Sequence, residues 1–322
     1  MLKSINPYTL QLIEEYPEIN DTQLEKILNR AQHQFKKGKQ TPLENRLETI
    51  QKFADLLRVY RVSLARLIVD EMGKIYKEAE GEILKCAQLC DYYVEIAPKV
   101  LARKKVRVEG GQAYVSHQPL GIVLGIMPWN FPFWQVIRFA IPALIGGNSV
   151  LLKHASNVMG CALKIEELFL EAGLPDHLFK SLLISGKNVH KAIQHPLVQA
   201  ISLTGSEQAG SAAAALAGKS IKKSVLELGG NDAYLILEDA NIDLAIKEGL
   251  ASRMKNAGQS CIGAKRFIVC APVYDVFVER LEAAMKIIQF GDPYAQDSQI
   301  GPLVSQAQRQ EVHQQVIRSQ EA

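Results

Sequence analysis

The sequence predicts an α/β protein built on a parallel sheet with helices on both faces. Apolar runs of strand length recur: GIVLGI (Gly121–Ile126), SVLLK (Ser149–Lys153) and QAISLTG (Gln199–Gly205). Helical segments at 133–145, 161–172 and 208–217 alternate with them. Strands alternating with helices, and reading as continuous apolar runs rather than as every second residue, mark strands buried on both faces.

Before this zone, from Pro42 to Leu101, the pattern is helical. Leu43, Leu47, Ile50, Ala54 and Leu57 fall at the three-and-four spacing that lines one helix face. Leu64, Leu67 and Ile68 continue with a second stripe, and Ile83 to Tyr93 form a third. Near Lys104 the period changes to two. Val106 and Val108, then Ala113 and Val115, flank Gly110–Gly111, which reads as a β-hairpin with a glycine turn. After the three main strands, SLLI (Ser181–Ile184) reads as another short strand. From Ser224, VLELGG, AYLIL and RFIVC are strand-like, with helices at 244–256, 273–288 and from about 306 onward.

Composition narrows the classes. The 322 residues suggest about two domains, here 1–224 and 225–322. The net charge of +3 is too small and dispersed for a nucleic-acid surface. The first twenty residues hold no apolar run of signal-peptide length, and no membrane span is expected. Five cysteines are an odd, thinly spread set that suits a reducing, cytoplasmic setting. Cys86 and Cys90, four apart on a helix, read as buried thiols rather than as a metal site; no metal is expected.

Four motifs carry chemistry. In PWNFP (Pro128–Pro132), two prolines stiffen a loop after a strand, so the Asn130 amide is presented from a fixed base as an oxyanion donor. Taken alone, such an Asn more often satisfies its own turn. VLLKHAS (Val150–Ser156) ends a strand in Lys153, where parallel sheets bind ligands, although a solvated lysine is the commoner case. LTGSEQAG (Leu203–Gly210) leads from a strand through Gly205 and Ser206 into a small-residue helix, whose first N–H groups suit a pyrophosphate. It is not GxGxxG. The nearby AGKS is not a P-loop either, since position 213 is Ala rather than Gly. ELGGND (Glu227–Asp232) and NAGQSC (Asn256–Cys261) add an acid and a cysteine after a polar turn; a lone cysteine is more often structural.

Together, and in this order, the four motifs resemble the aldehyde dehydrogenase superfamily from about residue 4 onward. GQSC followed by IGAKRFIV is most similar to its succinate-semialdehyde dehydrogenase branch. The resemblance implies a Rossmann-like cofactor domain, a partial α/β catalytic domain, and a hairpin arm at 104–117 used in homo-oligomer assembly. It implies Cys261 as nucleophile, Asn130 as oxyanion donor and Glu227 as the base that activates water. Lys153 matches the contact to the adenosine ribose, and Gly205 and Ser206 the pyrophosphate contact; Trp129 joins the cofactor set. Many NAD-specific members carry Glu three residues after that lysine, where this chain has Ser156. NADP is therefore expected in preference to NAD. Arg138 and Ser260 are the candidates for holding a small aldehyde that ends in a carboxylate. Family members continue past the position matching Ala322 with an E-x-F-G-P motif and more of the catalytic domain, so this chain is expected to be an N-terminal part. Two other readings stay open: a broad aliphatic or other semialdehyde dehydrogenase, and a short non-catalytic dinucleotide-binding form.

Overall fold

A computed structural model describes residues 1–321. An antiparallel pair comes first, β1 (Leu2–Ile5) with β2 (Leu12–Tyr16), followed by α1 (Asp21–Gly38). A capping box opens α1: Asn20 Oδ1 accepts from the Gln23 N–H, and Gln23 Oε1 accepts from the Asn20 N–H. Leu24, Leu28 and Ala31 line its buried face. The expected helical zone resolves into α2 (Leu43–Val59), α3 (Arg61–Met72) and α4 (Tyr76–Leu101). Cys86 and Cys90 do share the inner face of α4, where burial pushes both thiols up. The hairpin is β3 (Lys104–Val106) with β4 (Ala113–Val115), turned through Gly110 at φ +73. Its Val106, Tyr114 and Val115 are exposed.

The sheet follows: β5 (Ile122–Met127), α5 (Trp134–Ile145), β6 (Ser149–His154), α6 (Met159–Glu171), β7 (Phe179–Ser181), α7 (Val189–Gln194), β8 (Val198–Thr204), α8 (Glu207–Lys219) and β9 (Lys223–Glu227). These five strands pair in parallel in the order β7-β6-β5-β8-β9. The order reverses at β5, so the chain winds outward from the centre in both directions. The strand expected at Ser181–Ile184 ends at Ser181, although Leu182 still donates its N–H to the Leu152 carbonyl.

Alternation in the strands separates two cores. Val150 and Leu152 face α2–α6, with Phe53 stacked on Phe169 at 3.9 Å between ring centroids. Leu151, Ile122 and Leu124 face α1, α7 and α8. Helices thus cover both faces, which explains why the strands read as unbroken apolar runs.

Beyond the sheet, β10 (Ala233–Ile236), α9 (Ile242–Met254), β11 (Arg266–Val269) and α10 (Tyr274–Lys286) surround a small cluster of Ile236, Ile246 and Phe277. β10 and β11 pair in parallel. The boundary expected at 224/225 falls inside β9. Helix α11 (Gln306–Glu321) buries no residue. No helix among the described residues is long and apolar enough to cross a membrane.

Candidate active site

Because β5, β6, β8 and β9 run parallel, their carboxyl ends lie along one edge of the sheet, where open α/β sheets bind ligands. Asn130 follows β5, Lys153 is the penultimate residue of β6, Gly205 and Ser206 follow β8, and Glu227 ends β9. The Gly205 N–H donates to the Glu227 carbonyl at 3.0 Å, tying the β8 turn to the carboxylate strand.

The cofactor candidates fit a phosphorylated ligand. Lys153 is 9% exposed, and among the described residues its ammonium has no hydrogen-bond or ion-pair partner. Burial pushes its pKa down, with the charge of Glu18 pulling it back. A buried cation left without a partner is costly unless an anion meets it. Ser206 caps α8, its Oγ accepting from the Ala209 N–H at 3.2 Å, so the first turn of that helix is formed and open to an anion. Ser156 opens a single 3₁₀ turn at the mouth of the same edge. The Trp129 ring is half-buried against the helical-layer core.

Two loops meet at the reacting end. Asn130 Nδ2 donates to the Gln259 carbonyl at 2.9 Å, and Asn256 Nδ2 donates to the Asn130 carbonyl at 2.7 Å. The loop that carries Cys261 is thereby laced to the loop that carries Asn130. Asn256 and Ala257 both take left-handed backbone, at φ 55 and 54. Side chains other than glycine hold that conformation only where the surroundings enforce it, and such strain gathers at functional sites. Cys261 itself is partly exposed, and Lys265 Nζ donates to its carbonyl at 2.6 Å. A Cβ on Gly230 would stand 3.5 Å from the same carbonyl, so the ELGG turn packs directly against the cysteine loop.

The outer end of α4 supplies two carboxylates, one helical turn apart. Glu82 Oε1 accepts from the N–H groups of both Phe133 and Trp134 at 2.9 Å, and its other oxygen pairs with the buried Lys74, whose ammonium lies over the Phe131 ring at 3.8 Å. Glu78 Oε2 accepts from the Asn256 N–H at 2.9 Å. Burial pushes the Glu78 carboxyl up, against the pull of that N–H and of Lys74 and Lys255.

His154 secures the Asn130 loop from the other side. It is fully buried, with Nε2 2.9 Å from the Pro132 carbonyl and Nδ1 accepting from the Ala155 N–H at 3.0 Å, an arrangement that places the proton on Nε2. Burial pushes its pKa down from 6.5 to about 4, outweighing the Met127 and Pro132 carbonyls, which favour the doubly protonated ring. Between these values the unfolded chain binds the extra proton and the folded one does not. Stability therefore falls as pH drops from 6.5 toward 4. Urea unfolding should show the fold about 2 kcal/mol less stable at pH 5 than at pH 7 through this group. His154→Gln should flatten that slope; an unchanged slope would assign the acid sensitivity elsewhere.

Arg138 and Glu227 face each other at 3.7 Å, the arginine partly exposed and the glutamate exposed. A cleft of about 870 Å³ is lined by Phe131, Trp134 and Ser260, with lysines (Lys85, Lys255) and glutamates (Glu78, Glu248) on its walls. Lys85 Nζ lies over the Trp134 ring at 3.7 Å. Ser260 is buried beside the cysteine. Sequence reading did not single out Glu78, Glu82, Lys74, His154 or Asn256. The one local signal is that Glu78 and Glu82 share a helix face with buried apolar residues.

A model of the aldehyde dehydrogenase family matches residues 1–322. A probable NADP-dependent succinate-semialdehyde dehydrogenase of Synechocystis sp. is 44% identical over 304 residues, covering 94% of this chain and 67% of its own length. The solved succinic semialdehyde dehydrogenase of Streptococcus pyogenes, in complex with NADP+, superposes with a TM-score of 0.96 at 38% identity, over 98% of this chain and 70% of that one. Escherichia coli lactaldehyde dehydrogenase superposes equally well, with a TM-score of 0.96 at 33% identity, over 99% of this chain and 68% of that one. The chain spans about two thirds of the length of these relatives.

Proposed function

The chain belongs to the aldehyde dehydrogenase family, and from that premise we propose that it oxidises succinate semialdehyde to succinate, with NADP as hydride acceptor. One observation carries the reading: Asn130, Lys153, Ser206 and Glu227 line one sheet edge, and the loop of Cys261 is hydrogen-bonded to the loop of Asn130. Cys261 as thiolate attacks the aldehyde carbon, forming a carbon–sulfur bond and an oxyanion that Asn130 Nδ2 and the Cys261 N–H stabilise. NADP, when bound, supplies the acceptor for the hydride lost from that carbon, which is left as a thioester on Cys261. Glu227 takes a proton from water, whose oxygen attacks the thioester carbonyl; succinate leaves and the thiolate is restored.

Lys153, Ser156, Gly205 and Ser206, with Trp129 beside them, are the residues proposed to hold the cofactor. Residues 1–224 supply that binding and 225–322 the nucleophile and base. Arg138 and Ser260 are proposed to hold the substrate carboxylate. The exposed apolar side chains of the β3–β4 arm suit packing against a second copy, and the free cysteines suit the cytoplasm.

The test is an aldehyde panel with both nucleotides, using protein expressed from its full reading frame. Succinate semialdehyde with NADP should give the highest kcat/KM. An uncharged aliphatic aldehyde of the same length turned over equally well would replace this reading with a broad-specificity one.

A further inference from the structure

We propose that α4 is the positioning element of the reacting centre: Glu82 anchors the loop that carries Asn130, Glu78 anchors the loop that carries Cys261, and their one-turn spacing fixes donor and nucleophile relative to each other. This deepens the function proposed above and rests on it for the roles of Asn130 and Cys261.

The anchoring is by main chain. Glu82 takes the N–H groups of Phe133 and Trp134, which lie three and four residues after Asn130 at the start of α5. These donors have no partner within their own helix, so the carboxylate both satisfies them and fixes where the helix begins. Lys74 and Glu82 are 1% and 2% exposed, so the pair is dry and the carboxylate has one orientation. Glu78 takes the N–H of Asn256, the first of the two left-handed residues that bend the chain toward Cys261. Without that acceptor the strained pair has less to hold it. The amides of Asn130 and Asn256 then bridge the two loops. A chain of hydrogen bonds runs from Glu82 through the Asn130 loop to Asn256 and back to Glu78, closed by the rigid helix. Displacing a reacting group by about 1 Å can cost on the order of 100-fold in rate, so the reaction is sensitive to what α4 holds.

The positioning requires an acceptor oxygen at each residue, and two sets of variants separate this from charge or bulk. Glu78→Met removes the acceptor, while Glu78→Gln keeps one. For Glu82, the partner cation is neutralised in both arms: Glu82→Met with Lys74→Met removes the acceptor, and Glu82→Gln with Lys74→Met keeps it. The Met variants should lower kcat about 10- to 100-fold with the aldehyde KM held within threefold; each Gln counterpart should recover most of kcat. A second readout needs neither aldehyde nor nucleotide: the rate at which iodoacetamide alkylates Cys261 should change at least threefold in Glu78→Met and return in Glu78→Gln. If the unsubstituted protein oxidises no aldehyde, the proposed function fails while the alkylation rates still decide the positioning role. Met variants with unchanged kcat and alkylation overturn the inference. So do Gln variants as impaired as the Met ones, whether folded or not.

Discussion

Replacing Cys261 with Ser is expected to lower steady-state oxidation of succinate semialdehyde by at least about a thousandfold, since losing a nucleophile removes the covalent route rather than weakening it. The reason lies in what surrounds the sulfur. Lys265 donates to the Cys261 carbonyl rather than to its side chain. Among the described residues, no imidazole or carboxylate is hydrogen-bonded to the thiol. A thiol reaches its nucleophilic form near neutral pH with little help, whereas a serine hydroxyl needs an adjacent base. Among the described residues, no base is hydrogen-bonded to the side chain at position 261. Cofactor binding, followed by quenching of intrinsic fluorescence on titration with NADP, should stay within threefold of the parent, because Lys153 lies on β6 and Ser206 at the start of α8. A variant that retained more than a tenth of the parent rate would remove Cys261 from its assigned role.

Nucleotide choice gives the second large effect. Among the described residues the Lys153 ammonium has no hydrogen-bond or ion-pair partner, and Ser156, three residues on, places a small hydroxyl where the family resemblance implies a carboxylate in many NAD-specific members. Ser156→Glu should lower kcat/KM for NADP by about 100-fold or more, because opposed like charges cost several kcal/mol. Its kcat/KM for NAD should rise or hold, reversing the preference. Lys153→Met should weaken NADP binding by about 30-fold, roughly the 2 kcal/mol expected on losing a buried charged contact to the adenosine ribose end of the cofactor. Parallel titrations with both nucleotides check each variant; a Ser156→Glu enzyme that still prefers NADP would show that this loop does not read the 2′-phosphate.

What the sequence reveals depends on how local each signal is. The central strands β5 and β6 are legible because both their faces are buried and their apolar runs are nearly unbroken; the helices between strands follow from period alone. The site residues are legible where several unusual residues stand side by side, as in PWNFP or GQSC. Helix α1 is less visible, since only Leu24, Leu28 and Ala31 of its eighteen residues are buried and most of the rest is charged or polar. The strand expected at Ser181–Ile184 ends early because that apolar run continues into a turn: the Ile184 N–H bonds back to the Leu182 carbonyl. Glu82 is invisible for a different reason. It is one glutamate among several on a long helix, and its partners lie 51 and 52 residues away. Glu78 bonds a backbone N–H 178 residues away. Only the fold brings such pairs together, and no spacing rule anticipates them.

In the proposed reaction, succinate semialdehyde is oxidised through a thioester on Cys261 that Glu227 helps water to hydrolyse. Glu227→Gln separates the two halves of that sequence. Mixed with NADP and succinate semialdehyde, it should release one equivalent of NADPH per site in a burst and then stall. Mass spectrometry of the stalled protein should find a succinyl group on the peptide that holds Cys261. Steady turnover without a burst, or an adduct on any other residue, would contradict the account.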